Sequence, residues 1–120
     1  MRVLIVEDEA PVRQLLEIML RDAVQVVTVP SVDEALAHVG SQTWDLIIAD
    51  FKMPGQTGLD LIDHLARQGN TTPLLMITGQ SSRDSLLDEA RPRIRRILAK
   101  PFTAQELKTA IAEVLPASQG

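Results

Sequence analysis

The chain has 120 residues, 45% of them hydrophobic and 23% charged, with a net charge of −4; that length suits one folded domain, and the composition is not that of a disordered chain. The absence of cysteine excludes disulfides, thiolate metal sites and cysteine nucleophiles, and fits a reducing, cytoplasmic setting. The acidic balance speaks against nucleic-acid binding, and no apolar run nears the roughly 18 residues of a membrane span or follows a basic leader, so neither membrane insertion nor export is expected.

Val3-Leu4-Ile5-Val6 is the first predicted strand, and Val12, Leu15, Leu16 and Met19 then recur at the spacing of one helix face. "QVVTV", residues 25 to 29, is a second strand. Ser31 followed by Glu34 forms a capping-box pattern that opens a helix running through Val39. "DLIIA" makes the third strand, and Leu61, Ile62 and Leu65 mark the helix after it. Pro73 introduces the fourth strand, "LLMIT"; a helix from about 82 to 90 follows, with Pro92 at its end. "IRRILA" is the fifth strand, and Thr103 with Glu106 caps a last helix whose core face is Leu107, Ala110, Ile111 and Val114. Five strands alternating with five helices predict an α/β fold, a parallel sheet wound on both sides by right-handed crossovers. Without internal repeat or linker, residues 1–120 form one expected domain, with about 116–120 as a frayed tail.

The strand ends carry the chemistry. The first strand ends in Glu7-Asp8-Glu9, the third in Asp50, the fourth in Thr78-Gly79 and the fifth in Lys100-Pro101. Any one of these could be an ordinary turn residue. In a parallel sheet, however, all four ends lie on one edge, where open α/β folds bind their ligands. Carboxylates gathered there repel unless a cation or a proton relieves them, and oxygen donors with room for water suit Mg²⁺ better than zinc or copper.

These residues resemble those of the receiver (response-regulator) domains of two-component signalling. The likeness rests on Glu7-Asp8, on "D-x-x-M-P-G-x-x-G" from Asp50 to Gly58, on Thr78-Gly79 and on "K-P-F" at 100 to 102, and it covers essentially the whole chain. It implies a flavodoxin-like (βα)5 fold with strand order 2-1-3-4-5. It further implies that Asp50 accepts a phosphoryl group from the phosphohistidine of a sensor histidine kinase or a histidine phosphotransfer protein. Glu7, Asp8, Asp50 and the backbone carbonyl of Lys52 would hold Mg²⁺; Lys100 and the Thr78 hydroxyl would each contact a phosphoryl oxygen. Gly79 would keep the approach open, Pro101 would follow a cis bond that positions Lys100, and Pro54-Gly55 would turn the loop away. Such a domain catalyses only its own phosphorylation and dephosphorylation. It signals here through residues 79 to 96, with the 82–115 face as a possible homodimer or effector surface, and needs neither nucleic acid nor membrane.

Two positions depart from the common family pattern. Glutamate precedes Asp8 where a second aspartate is frequent, and still supplies an oxygen. Ile97 stands where many members carry Tyr or Phe, so it has no ring to follow Thr78 inward. Lys52 and Gln80, two residues beyond Asp50 and Thr78, flank the path of the hydrolytic water in the family, and neither is a carboxylate base. Ile97 leaves open the alternative of a receiver-like protein-interaction domain that acts without phosphorylation. An Asp-nucleophile phosphatase of the haloacid-dehalogenase type would need a second aspartate where Lys52 stands, and a flavin protein would need a hydroxyl-rich phosphate loop and aromatics. "RPRIRR", residues 91 to 96, is either a solvated patch or a partner surface. His38 and His64 fall on helices away from the strand ends, and Met53 and Trp44 are expected to serve packing.

Overall fold

The computed structural model describes residues 1–53, 56–79 and 91–114. The expected Pro54-Gly55 turn, Gln80, the expected helix 82–90 and the 116–120 tail lie outside the described residues.

Strands β1 (Arg2–Val6), β2 (Gln25–Val29), β3 (Leu46–Asp50), β6 (Leu74–Thr78) and β7 (Arg96–Ala99) form one sheet, every pairing parallel, in the order β2-β1-β3-β6-β7. This is the expected 2-1-3-4-5 order. The numbering differs because two short antiparallel strands, β4 (Lys52–Met53) and β5 (Gln56–Thr57), intervene where the sequence predicts only a loop.

Four helices are described: α1 (Ala10–Leu20), α2 (Val32–Ser41), α3 (Gly58–Arg67) and, last in the chain, α4 (Ala104–Val114). Side chains alternate across the pleat, so each strand feeds two cores. Leu4, Val6, Ile47, Ala49 and Met76 pack with Val32, Ala35 and Val39 of α2 and Leu61, Ile62 and Leu65 of α3. Val3, Ile5, Ile48, Leu75 and Ile77 pack with Leu16 and Leu20 of α1 and Leu107, Ala110, Ile111 and Val114 of α4. β3 is buried from end to end because it lies at the centre of the sheet, covered on both faces.

The structure corrects several details. Leu15 is not on the core face of α1: it is 51% exposed, and Leu20 takes its place inward beside Leu16. Spacing alone admitted both leucines, since the apolar stripe of this helix is wider than the face it buries. Only half of the box at α2 forms, Ser31 Oγ accepting from the Glu34 amide at 3.2 Å. Full reciprocal boxes cap α3, through Thr57 and Asp60, and α4, through Thr103 and Glu106; an aspartate at the third position falls outside the usual Glu/Gln signature. The fifth strand starts at Arg96 rather than Ile94, because Arg91–Arg93 forms a 3₁₀ turn.

Trp44 is buried against the α2/α3 core, its Nε1 donating to the His38 carbonyl at 3.2 Å, with the Arg2 guanidinium 5.0 Å over its ring. Met53 is buried in the same core. Gly58 opens α3 in a tight place: an added Cβ would stand 2.7 Å from Met76 Sδ and 3.0 Å from Phe51 Cδ1, so Met76 would have to shift. Its amide donates to the Phe51 carbonyl at 2.7 Å, fastening the start of α3 to the loop that leaves Asp50.

Candidate functional site

At the carboxyl edge of the sheet β1 delivers Glu7, β3 delivers Asp50, and the segment after β7 delivers Lys100. These three continue the alternation of Ile5, Ile48 and Leu98, which places them on the α1/α4 side of the sheet. Glu7 and Asp50 are among the few buried polar residues, at 1% and 7% exposure. Oxygens of Glu7, Asp8 and Asp50 lie within 4.8 Å of one another. Asp50 Oδ2 accepts from Lys100 Nζ at 2.8 Å and Oδ1 from the Lys52 amide at 3.1 Å. Glu7 Oε2 accepts from the Glu9 amide at 3.1 Å, whereas Oε1 is buried with no hydrogen-bond partner among the described residues, 3.9 Å from Lys100 Nζ.

The electrostatics follow from that crowding. Burial, joined by the nearby Asp50 charge, raises the Glu7 carboxyl from an ordinary 4.5 to about 7, against the lowering effect of the Glu9 amide and Lys100. Burial alone would lower the Lys100 ammonium, but its hydrogen bond to Asp50 and the charges of Asp50, Glu7 and Glu9 outweigh it and raise it. A buried, partnerless carboxylate oxygen beside two further acids is a poor end state for a protein alone. It is a good donor for a hard divalent cation, so these residues fit Mg²⁺.

Thr78 ends β6 buried, but it continues the alternation of Met76 and so belongs to the α2/α3 side, as does the half-buried Ile97 paired with Met76. Thr78 and Asp50 therefore reach the edge from opposite faces. The Thr78 carbonyl accepts from the Lys100 amide at 2.8 Å. A Cβ added at Gly79 would meet nothing within 4 Å, and the Lys100-Pro101 bond is cis. Lys52 is exposed just beyond Asp50; Gln80 lies outside the described residues.

His38 and His64 sit on α2 and α3, apart from these strand ends. Two arginines of the 91–96 segment pair with acids of this chain, Arg93 with Asp63 and Arg96 with Glu113, each at 2.9 Å. One residue at the site was not anticipated from the sequence. Arg13, one turn into α1, donates from Nη1 to the carbonyls of Glu7 at 2.8 Å and Asp8 at 3.0 Å. Its only signal in the sequence is an arginine five residues after Asp8 on an amphipathic helix.

A five-stranded parallel sheet with paired acids, a central aspartate and a lysine at its carboxyl edge defines a class, the receivers of two-component signalling. The profile of the response regulator receiver domain matches residues 3–112, and the chain belongs to that family. It is 32% identical to the chemotaxis protein CheY of Pseudomonas aeruginosa, over the full length of both chains. It is 35% identical to the two-component response regulator PhoP of the same organism, of which it spans 54%. Among solved structures, the chemotaxis response regulator CheY4 of Vibrio cholerae superposes with a TM-score of 0.85 at 30% identity, covering 95% of this chain and 98% of that one. Receiver domains are signalling modules, and the acidic cluster of Glu7, Asp8 and Asp50 fits a phosphoacceptor site.

Proposed function

We propose that this receiver takes a phosphoryl group from a protein phosphohistidine onto Asp50. The observation that carries the reading is Asp50 itself: a buried carboxylate hydrogen-bonded to Lys100 at 2.8 Å, with Glu7 and Asp8 oxygens within 4.8 Å. An Asp50 oxygen forms the bond to phosphorus as the phosphorus–nitrogen bond of the donor breaks, and the electron pair of that bond stays on the imidazole nitrogen. Lys100 shifts from Asp50 to an oxygen of the incoming group, where its charge opposes the one that develops. The Thr78 hydroxyl contacts a second oxygen from the other face, and Gly79 leaves the path open. Glu7, Asp8, Asp50 and the Lys52 carbonyl are the residues that would hold Mg²⁺, and the chemistry it supplies when bound is neutralisation of phosphoryl charge. Lys52 and Gln80 offer no carboxylate to activate water, which favours a long-lived phosphoryl group.

The donor is a sensor histidine kinase or a histidine phosphotransfer protein, in the cytoplasm. Residues 1–120 act as one receiver unit whose signal leaves through 79 to 96, with the 82–115 face as the surface for an effector or a second copy. Ile97 is short and β-branched, so its rotamer changes little, and Pro101 serves to set Lys100. The complete set of acids, lysine and threonine favours this reading over an interaction domain that ignores phosphorylation, and Lys52 in place of a second aspartate disfavours a phosphatase.

The test is incubation with acetyl phosphate or phosphoramidate and Mg²⁺, followed by intact mass. One phosphoryl group should be added; Asp50→Asn should abolish it, and chelation should nearly do so. Labelling that survives Asp50→Asn would move the site elsewhere. A beryllofluoride adduct should alter amide exchange most over 79 to 96; changes confined to α1 and the Asp50 loop would sink that route for the signal.

A further inference from the structure

The geometry points to Arg13 as the positioning residue that holds the Glu7-Asp8 loop in its cation-binding shape, an inference that rests on the proposed role of these acids as metal ligands. Within the loop, the Glu9 amide donates to the Glu7 side chain, Oε2, at 3.1 Å, which leaves the Glu7 and Asp8 carbonyls to be held from elsewhere. The Glu7 amide, one residue past β1, is the last to join the ladder, donating to the Val29 carbonyl at 3.0 Å, and α1 begins only at Ala10. Between them no backbone amide of the described residues donates to the Glu7 and Asp8 carbonyls as they leave the sheet. Arg13 Nη1 takes both, at 2.8 and 3.0 Å. A carbonyl direction reports the ψ angle of its own residue, so two successive carbonyls bound to one nitrogen fix two successive peptide planes. Those planes decide where the Glu7 and Asp8 side chains leave the backbone.

This matters because the loop is under load. Oxygens of Glu7, Asp8 and Asp50 are gathered within 4.8 Å, and Glu9 adds a further negative charge beside them. Like charges at such range drive a free loop apart. A guanidinium bound to the carbonyl side of the same residues opposes that in two ways. It adds positive charge near the cluster, and it ties the backbone to α1, itself anchored by Leu16 and Leu20 in the core. The two effects have opposite consequences for a metal. Charge alone makes Arg13 a competitor of Mg²⁺, so its removal would tighten binding. A clamp pre-organises the ligands, so its removal loosens binding.

The experiment uses the full chain and Mg²⁺ alone, by isothermal titration at fixed ionic strength, with Arg13→Met and Arg13→Lys. Arg13→Lys keeps the charge but ends one bond short of the Nη1 position that reaches both carbonyls; it also serves if Arg13→Met does not fold. The clamp predicts Mg²⁺ binding weakened by about tenfold in Arg13→Met, the factor for losing one charge-assisted hydrogen-bond set, and weakened in Arg13→Lys as well. Equal or tighter binding in Arg13→Met, or unchanged binding in Arg13→Lys, overturns it. Amide exchange without metal gives a second readout: it should accelerate at Glu9 and Ala10 in both variants while β3 is unaffected, and unaltered rates at Glu9 overturn the clamp whatever the metal does. Failure of the wild-type chain to bind Mg²⁺ or to be phosphorylated would instead strike the proposed function, leaving the exchange result to decide on Arg13.

Discussion

The two edges of the sheet handle charge in opposite ways. At the amino edge, opposite charges pair in the open: Arg93 with Asp63 and Arg96 with Glu113, every side chain between 44% and 55% exposed. At the carboxyl edge, like charges gather under cover, with Glu7 and Asp50 almost fully buried and one Glu7 oxygen without a partner. Grooves of about 210 and 360 Å³ at the amino edge are lined by Asn70, Thr72, Leu74 and Arg93, and include none of the residues of the acidic cluster. Paired and exposed charge is close to neutral in energy, whereas buried, mutually repelling charge is costly and persists where chemistry uses it.

Removing Lys100 tests the comparison most severely. Lys100→Ala takes away the cation 2.8 Å from Asp50, and phosphoryl uptake from a small donor should fall by about 10²- to 10³-fold, as for loss of one transition-state contact. Arg96→Ala, at the other edge, should leave uptake unchanged. Equal effects from the two variants would show that the difference between the edges carries no function.

Glu7→Gln sharpens the comparison through stability. A carboxyl whose pKa is raised on folding binds its proton more tightly in the native state, so stability falls as pH rises from 4.5 to about 7 and the loss is complete above that. The shift corresponds to about 3 kcal/mol. In metal-free buffer at pH 8 the variant should be more stable than wild type by up to that amount, and near pH 4 the two should agree. Denaturant melts across this range read it directly; a wild-type curve flat from pH 4.5 to 7 would mean that Glu7 titrates as an exposed acid. Mg²⁺ at pH 8 should raise the wild-type melting temperature by mass action and that of Glu7→Gln less. Lys100 has the same sign in a higher window: its pKa is also raised, so its contribution is full at neutral pH and lost only in alkali.

Much of this edge was legible in the sequence because short apolar runs ending in polar residues specify both a strand and the place where it stops. "LIIAD" is buried throughout with Asp50 as its last residue, and the parallel order brings the other ends beside it. What sequence could not supply was facing and depth. Nothing in "IVED" says that Glu7 would be buried while Asp8 is half-exposed, because that depends on how α1 covers β1. Nor does spacing show that Thr78 belongs to the opposite face from Asp50, since this follows from the pleat. Arg13 escaped notice because its partners are backbone carbonyls, which every residue has. Leu15 misled for a related reason: helical periodicity marks a stripe, and the neighbours decide how much of it is covered.

The smallest expected effect lies at the amino edge. "RPRIRR" looks like a strongly basic feature in sequence, yet Arg93 and Arg96 each meet an acid of another element, Asp63 on α3 and Glu113 on α4. These pairs are half in water, where side-chain entropy and screening offset most of the attraction, so each contributes within about 0.5 kcal/mol. Arg93→Ala and Arg96→Ala should therefore shift the denaturation midpoint barely, and a double-mutant cycle of Arg96 with Glu113 should give a coupling that fades as salt is raised. A salt-insensitive coupling of about 2 kcal/mol would mean that the pair is shielded from water in solution. That outcome would also change the meaning of the comparison, because shielding of an edge that is open in the isolated chain requires something to cover it. A second copy of this chain is then the first candidate to examine, by measuring whether the coupling depends on protein concentration.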